Sequence, residues 1–395
     1  TLVTVVPNSG IQFLDLVIPP SAHVALMRRF IEEPDPALAG SRILYNVAIE
    51  DEAVLHPLTR LPVATETMRR ISGRDALEAF REAWMPLPFL RVLRSAKEGD
   101  ATRDEGPTNW VRGYLTPQPD ESYLLTVAID TCVDMTAREP GAPYPAPCVD
   151  DVHFESSFVL DHECDQLADV VSERWMGEWI TGHLARAARD RTIPGVDDAE
   201  FTLAPVAYYM TFLAVVAEIV PRLRFAGAAS RDRRMPAVPV DLVIDVGASR
   251  TCAVLVEGSG EASVADLTSS TMLELRDLGR PASRHAGPFS SQTEFARAAF
   301  GSEAVSRLSG RANAFLWPSL VRVGPEAQRL ASAAHAMDGP SGLDNPKRHV
   351  EETAPTSQVW RFARVGTAPG RMVTGPMLAL ISESGDLLAR SPGSR

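Results

Sequence analysis

The sequence predicts an α/β protein: a mixed N-terminal α/β region followed, from Val240 onward, by an α/β lobe. Three observations lead there. Short runs rich in β-branched residues, 123–129 and 240–257, read as strands. Longer apolar stretches at helical spacing, 158–189 and 203–220, lie between them. Hydrophobic content of 45% and charged content of 23% are those of a folded globular chain, and 395 residues suffice for more than one core.

Residues 2–18 are predicted to form two strands around the turn cluster Pro7-Asn-Ser-Gly10. Residues 76–93 carry aromatics and leucines spaced for one helical face, and 123–129 is a strand. The Pro-rich loop at 139–147 divides a β-rich region, 1–150, from a helical one, 151–220. Within 158–189, Trp175 and Trp179 fall on the apolar face of an amphipathic helix and are expected as core anchors. Residues 203–220 are nearly all apolar, but a membrane span needs about 20 such residues. Glu218 interrupts the run and Pro205 and Pro221 bracket it, so a buried helix is expected. Residues 221–239, rich in Arg, Ala and Gly, read as a linker. In 240–395 the expected order is a hairpin at 240–257, a third strand at 271–278, and an insertion at 279–313 with one short helix at 292–300. A segment from Phe315 then runs into a helix ending near Met337, followed by a strand at 359–365 and a hairpin at 377–389.

The net charge of −12 sits in the first 235 residues, because acidic and basic side chains balance over 236–395. Nucleic acid is a poor partner for such a surface, since phosphate contacts need clustered Lys and Arg. Cys132, Cys148, Cys164 and Cys252 form no Cys-x-x-Cys pair, and the N-terminus lacks the basic and apolar segments of a signal peptide. A cytoplasmic location follows as the expectation. Only two basic residues are lysine, Lys97 in a polar loop and Lys347 in Asn345-Pro-Lys-Arg-His.

Chemistry concentrates at the turn of the 240–257 hairpin. Asp245 supplies a carboxylate, Ser249 and Thr251 supply hydroxyls, and Gly247 permits positive φ and close approach of a ligand. Successive turn amides can form a concave anion-binding nest, so the turn reads as a phosphate cradle with a carboxylate for magnesium. Asp161-His-Glu-Cys-Asp165, with His153 and His183 nearby, offers metal-ligand types. Adjacent helix positions diverge, however, and an acidic helix start explains the cluster as well. No Gly-Lys-Ser/Thr loop, Gly-x-Gly-x-x-Gly fingerprint or Gly-x-Ser-x-Gly elbow occurs.

The hairpin, the third strand, Trp317-Pro-Ser-Leu-Val-Arg-Val-Gly-Pro-Glu-Ala327 and Pro346-Lys-Arg348 together resemble the first lobe of the actin, Hsp70 and sugar-kinase ATPases, a ribonuclease H-like fold. With the opening Pro7-Asn-Ser-Gly-Ile-Gln-Phe-Leu-Asp15, the same blocks are similar to the SrfB-type bacterial virulence-factor family over most of the chain. The resemblance implies ATP and Mg²⁺. Asp245 would hold the metal through water, Gly247, Ala248 and Ser249 would face phosphate, Thr251 would support the loop, and Lys347 would neutralise charge at the γ-phosphate. Ala248 departs from the Thr, Ser or Asn usual there. A second phosphate loop of Asp-x-Gly-Gly-Gly type and an adenosine loop do not occur, so the resemblance implies about half a nucleotide site, completed by a second lobe or a protein partner. The reading from another class is a non-catalytic interaction protein that keeps the fold without turnover.

Overall fold

The computed structural model describes residues 1–50, 53–92, 103–104, 109–134, 147–162, 173–196, 198–227, 239–257, 270–301, 309, 311, 314–317, 319–333 and 342–347, and four strand segments between 359 and 389. The chain divides into two compact units, residues 1–234 with 300–315 and residues 235–299 with 316–395.

The first unit runs β1 (Leu2–Val5), β2 (Ile11–Ile18), α1 (Pro20–Val24), β3 (Met27–Pro34), β4 (Arg42–Asn46), β5 (Ala48–Glu50), β6 (Ala53–Leu55), β7 (Arg69–Ser72) and α2 (Gly73–Phe80). It continues through β8 (Trp84–Pro86), β9 (Phe89–Val92), β10 (Arg103–Asp104), β11 (Val111–Pro117), β12 (Tyr123–Asp130), α3 (Val149–His153) and β13 (Ser157–Leu160). It closes with α4 (Arg174–Asp190), α5 (Ala204–Ala217) and β14 (Arg222–Phe225). One sheet has the order β1-β14-β13-β9-β10, a second β2-β12-β11-β8, and a third β4-β3-β7.

Local chemistry explains the boundaries. Ser72 caps α2 by accepting from the Asp75 amide at 3.0 Å. The expected helix over 76–93 stops at Phe80 because Glu82 takes positive φ and Pro86 and Pro88 forbid helical hydrogen bonds, so 84–92 forms two strands instead. Residues 158–160, expected in a helix, belong to β13, while Trp175 and Trp179 are core residues of α4 as expected. The stretch read as a linker opens with β14, whose Leu223 and Phe225 are buried between β1 and β13. The two N-terminal strands occur, but in different sheets. The 139–147 loop, the Pro-rich divider, falls almost wholly outside the described residues.

The buried helix α5 anchors this core. Phe80 meets Tyr209 and Phe212, and the Tyr209 hydroxyl donates to the Pro86 carbonyl at 2.6 Å. A second aromatic group joins Trp110 to Phe89, Phe158 and Phe225. No helix of the described residues is long and apolar enough to cross a membrane.

The second unit contains β15 (Val240–Val246), β16 (Arg250–Glu257), β17 (Ser270–Met272), β18 (Glu274–Arg276), β19 (Arg284–Ala286), β20 (Phe289–Ser290), β21 (Thr293–Phe295), β22 (Val321–Val323), α6 (Gly324–Ala333) and β23 (Gly342–Leu343). β15, β16 and β17 form the expected antiparallel meander, and β20 joins β16 at its Arg250 end. The third strand is shorter than read: after Met272 the chain leaves to pair Glu274–Arg276 with Arg284–Ala286. The short helix expected at 292–300 is instead strand β21, held between β22 and β23 with Phe295 fully buried. Sheet pairing here outweighs a helical spacing of Ala and Phe. Helix α6 begins at Gly324, inside the segment expected to enter it, and the 377–389 hairpin appears as Leu380–Ile381 against Leu387–Ala389.

Candidate functional site

The β15–β16 register pairs Asp245 with Cys252 and Val246 with Thr251, leaving Gly247, Ala248 and Ser249 to make the turn. The Gly247 amide donates to the Arg250 carbonyl at 3.0 Å. Gly247 does not adopt the positive φ expected of it. Glycine is required for another reason: a Cβ there would lie 2.5 Å from the Arg250 carbonyl oxygen.

A residue that sequence reasoning missed organises this turn. Ser291, buried just after β20, donates its hydroxyl to the Gly247 carbonyl at 2.8 Å and its amide to the Ser249 carbonyl at 3.0 Å. Its hydroxyl also lies 2.9 Å from that of Thr251, which is buried. Thr251 thus meets the residue that tethers the turn, a partner 40 residues downstream. With two turn carbonyls held toward Ser291, the Ala248 and Ser249 amides donate to no described residue and stand on an exposed turn. The only sequence signal for Ser291 is the polar pair Ser290-Ser291 between two strand-like runs.

Asp245 is exposed and, being opposite Cys252, lies on the face of the hairpin away from Thr251 and Ser291. Lys347 is exposed beyond β23, in the same unit as the turn. Neither side chain makes a hydrogen bond or ion pair with a described residue. The structure therefore gathers Asp245, Gly247, Ala248, Ser249 and Thr251 at one hairpin end and shows no contact between Lys347 and them. Lys97 lies outside the described residues.

A polar cluster surrounds the start of α6. Asp277 takes a bidentate pair from Arg329 at 2.6 and 2.8 Å and accepts from the Gly279 and Arg280 amides. Glu326 lies 3.9 Å from Arg329. Burial pushes its carboxyl up to about 7, with nearby Asp277 raising it further against Arg322 and Arg329. These groups are engaged with one another and with backbone, as a structural network would be.

Among the described residues the metal-ligand types near Asp161 do not assemble. His183 contacts the Ala79 carbonyl and stacks on Phe80, and burial lowers its pKa to about 4. Asp161 follows β13 and bonds by its amide to the Pro88 carbonyl; 163–165, and with them the expected helix start, lie outside the described residues. Among the described residues no group of three His, Cys, Asp or Glu could hold a metal ion. Cys132, Cys148 and Cys252 are free thiols.

No curated protein and no solved structure matches the chain. The protein family described as virulence factor SrfB matches residues 1–394, which takes in both units and every block on which the resemblance rested. The chain belongs to the SrfB virulence-factor family.

Proposed function

We propose that the β15–β16 turn binds the phosphates of ATP with Mg²⁺, as the first phosphate loop of an actin/Hsp70-like lobe. The observation that carries this is the double tether from Ser291 to the Gly247 and Ser249 carbonyls. It turns the carbonyls to one side and leaves the Ala248 and Ser249 amides for an anion. The residues fit a phosphate: two amides with no partner among the described residues, the Ser249 hydroxyl and an exposed carboxylate at Asp245 for a water-held cation. Magnesium, when bound, would neutralise phosphate charge. Lys347 would supply the remaining positive charge at the γ-phosphate, and positioning would carry most of any turnover. Ala248 removes one hydroxyl donor, worth roughly 1.5–3 kcal/mol if unreplaced.

Titration calorimetry of the 395-residue chain with ATP, with and without MgCl₂, tests the reading. Wild type is expected to bind, and Asp245→Ala to lose the magnesium dependence. Ser291→Ala is expected to weaken binding up to about tenfold, or about 1.4 kcal/mol, because it frees the Gly247 carbonyl while the backbone tether to the Ser249 carbonyl remains. Lys347→Ala should leave affinity within about tenfold while hydrolysis falls further. A wild-type titration without heat at millimolar ATP overturns nucleotide binding. It would favour the second reading, a non-catalytic interaction protein, which the exposed strand β15 supports independently.

A further inference from the structure

Strand β15 is seven residues long, pairs among the described residues with β16 alone, and is exposed along its whole length. Val240, Leu242, Val243, Ile244 and Val246 are each between 43% and 52% exposed. Edge strands of this apolarity are normally blunted by charged side chains, lysine above all, by proline, by a bulge or by a covering element, and β15 carries only the charges of Asp241 and Asp245. β15 has no Lys and no Pro, and its ladder with β16 is unbroken over all seven pairs.

Hydrogen-bond parity fixes which groups face outward. The Gly247 amide bonds to Arg250, so that pair is hydrogen-bonded, and alternation makes Val246, Ile244, Leu242 and Val240 members of non-bonded pairs. Their N–H and C=O groups point to the free edge. Ala253, opposite Ile244, agrees: its carbonyl accepts from the Leu273 amide on the far side of β16, at 2.9 Å. The same four residues share one face of the strand, and Asp241, Val243 and Asp245 share the other.

We propose that β15 is the docking edge for an extended segment of a partner protein, which adds to the sheet as a further strand. Its recognition pattern follows from the two faces: apolar residues at alternate positions against Leu242, Ile244 and Val246, and Arg or Lys four residues apart against Asp241 and Asp245, which lie about 13 Å apart. A second copy of this chain is the poorer occupant. Val-Asp-Leu-Val-Ile-Asp-Val is nearly the same read backwards about Val243, so full-length antiparallel self-pairing would set Asp241 against Asp245 twice. Like charges directly opposite are destabilising. The proposal does not rest on nucleotide binding.

Fluorescence anisotropy with the end-capped peptide Val-Arg-Val-Thr-Val-Arg-Val and its Glu-for-Arg counterpart tests it. The basic peptide should bind at least about tenfold tighter than the acidic one, and less tightly as salt rises. Ile244→Pro should abolish binding without loss of a β15–β16 hydrogen bond, since the Ile244 amide points outward. Asp241→Lys should weaken the basic peptide about tenfold, which tests the proposal even if the proline variant fails to fold. Failure of the basic peptide to bind, equal binding of the two peptides, or binding retained by Ile244→Pro overturns it. So does a wild-type dimer in sedimentation that Ile244→Pro converts to monomer, because a second copy would then be the occupant.

Discussion

Arg112→Ala is expected to destabilise the N-terminal unit by about 3–5 kcal/mol, the loss found when a buried charge network is broken. Arg112 is 2% exposed, and its guanidinium carbon lies 4.0 Å from the Phe315 ring centroid and 4.7 Å from that of Trp179. Its Nε donates to the Asn109 side chain at 3.0 Å, and another nitrogen donates to the Phe300 carbonyl. Burial lowers its pKa to about 9 and Asp130 opposes that shift, so the group stays charged at neutral pH. Truncation would open a large cavity, strip partners from Asn109 and Phe300, and leave Asp130 with Arg311 and the Phe315 amide. Arg112→Lys should recover less than half of the loss, because a compact ammonium has no planar face to stack on the rings and no rigid fork to reach both acceptors. Urea unfolding followed by tryptophan fluorescence measures both. A loss below about 1 kcal/mol for the alanine variant would show that the network carries little weight.

Glu326→Gln is expected to stabilise the second unit at alkaline pH and to do little near pH 4.5. Burial raises the folded-state pKa of Glu326 from 4.5 to about 7. Between those values the folded state holds a proton that the unfolded state has released, so wild-type stability falls as pH rises through that window. The cost is complete above pH 7. Glutamine keeps the shape without the charge, and the gain at pH 8 is about 1–3 kcal/mol, the upper figure being the full shift at 1.36 kcal/mol per pH unit. Thermal unfolding of wild type and variant from pH 4.5 to 8.5 should give curves that converge at the acid end. Parallel curves would mean that Glu326 does not titrate in this range.

Local pattern made much of the fold legible. The meander from Val240, the helix from Gly324 and the buried helix over 204–217 each have a period or a turn that only one element satisfies. Misreadings fell where two periods compete or where pairing is distant. Residues 84–92 have helical apolar spacing, but two prolines decide the matter. Arg222–Phe225 is polar at every second position and reads as linker until β1, more than 200 residues earlier, is placed beside it. The candidate site divides in the same way. Its turn residues are adjacent and could be read, whereas Ser291 shapes the turn from across the sheet and has no local signature.

The return of residues 300–315 to the first unit has a consequence for synthesis. The chain passes from one unit to the other at 234/235, 299/300 and 315/316. Phe315, which covers the Arg112 cation, is made long after the last strand of the unit it completes. On the ribosome the N-terminal unit must therefore wait, its Asp130 and Arg112 unsealed, while the 235–299 segment emerges. Neither unit can finish as an independent bead on a string, and a protein cut near residue 235 would lose the plug that closes its first half.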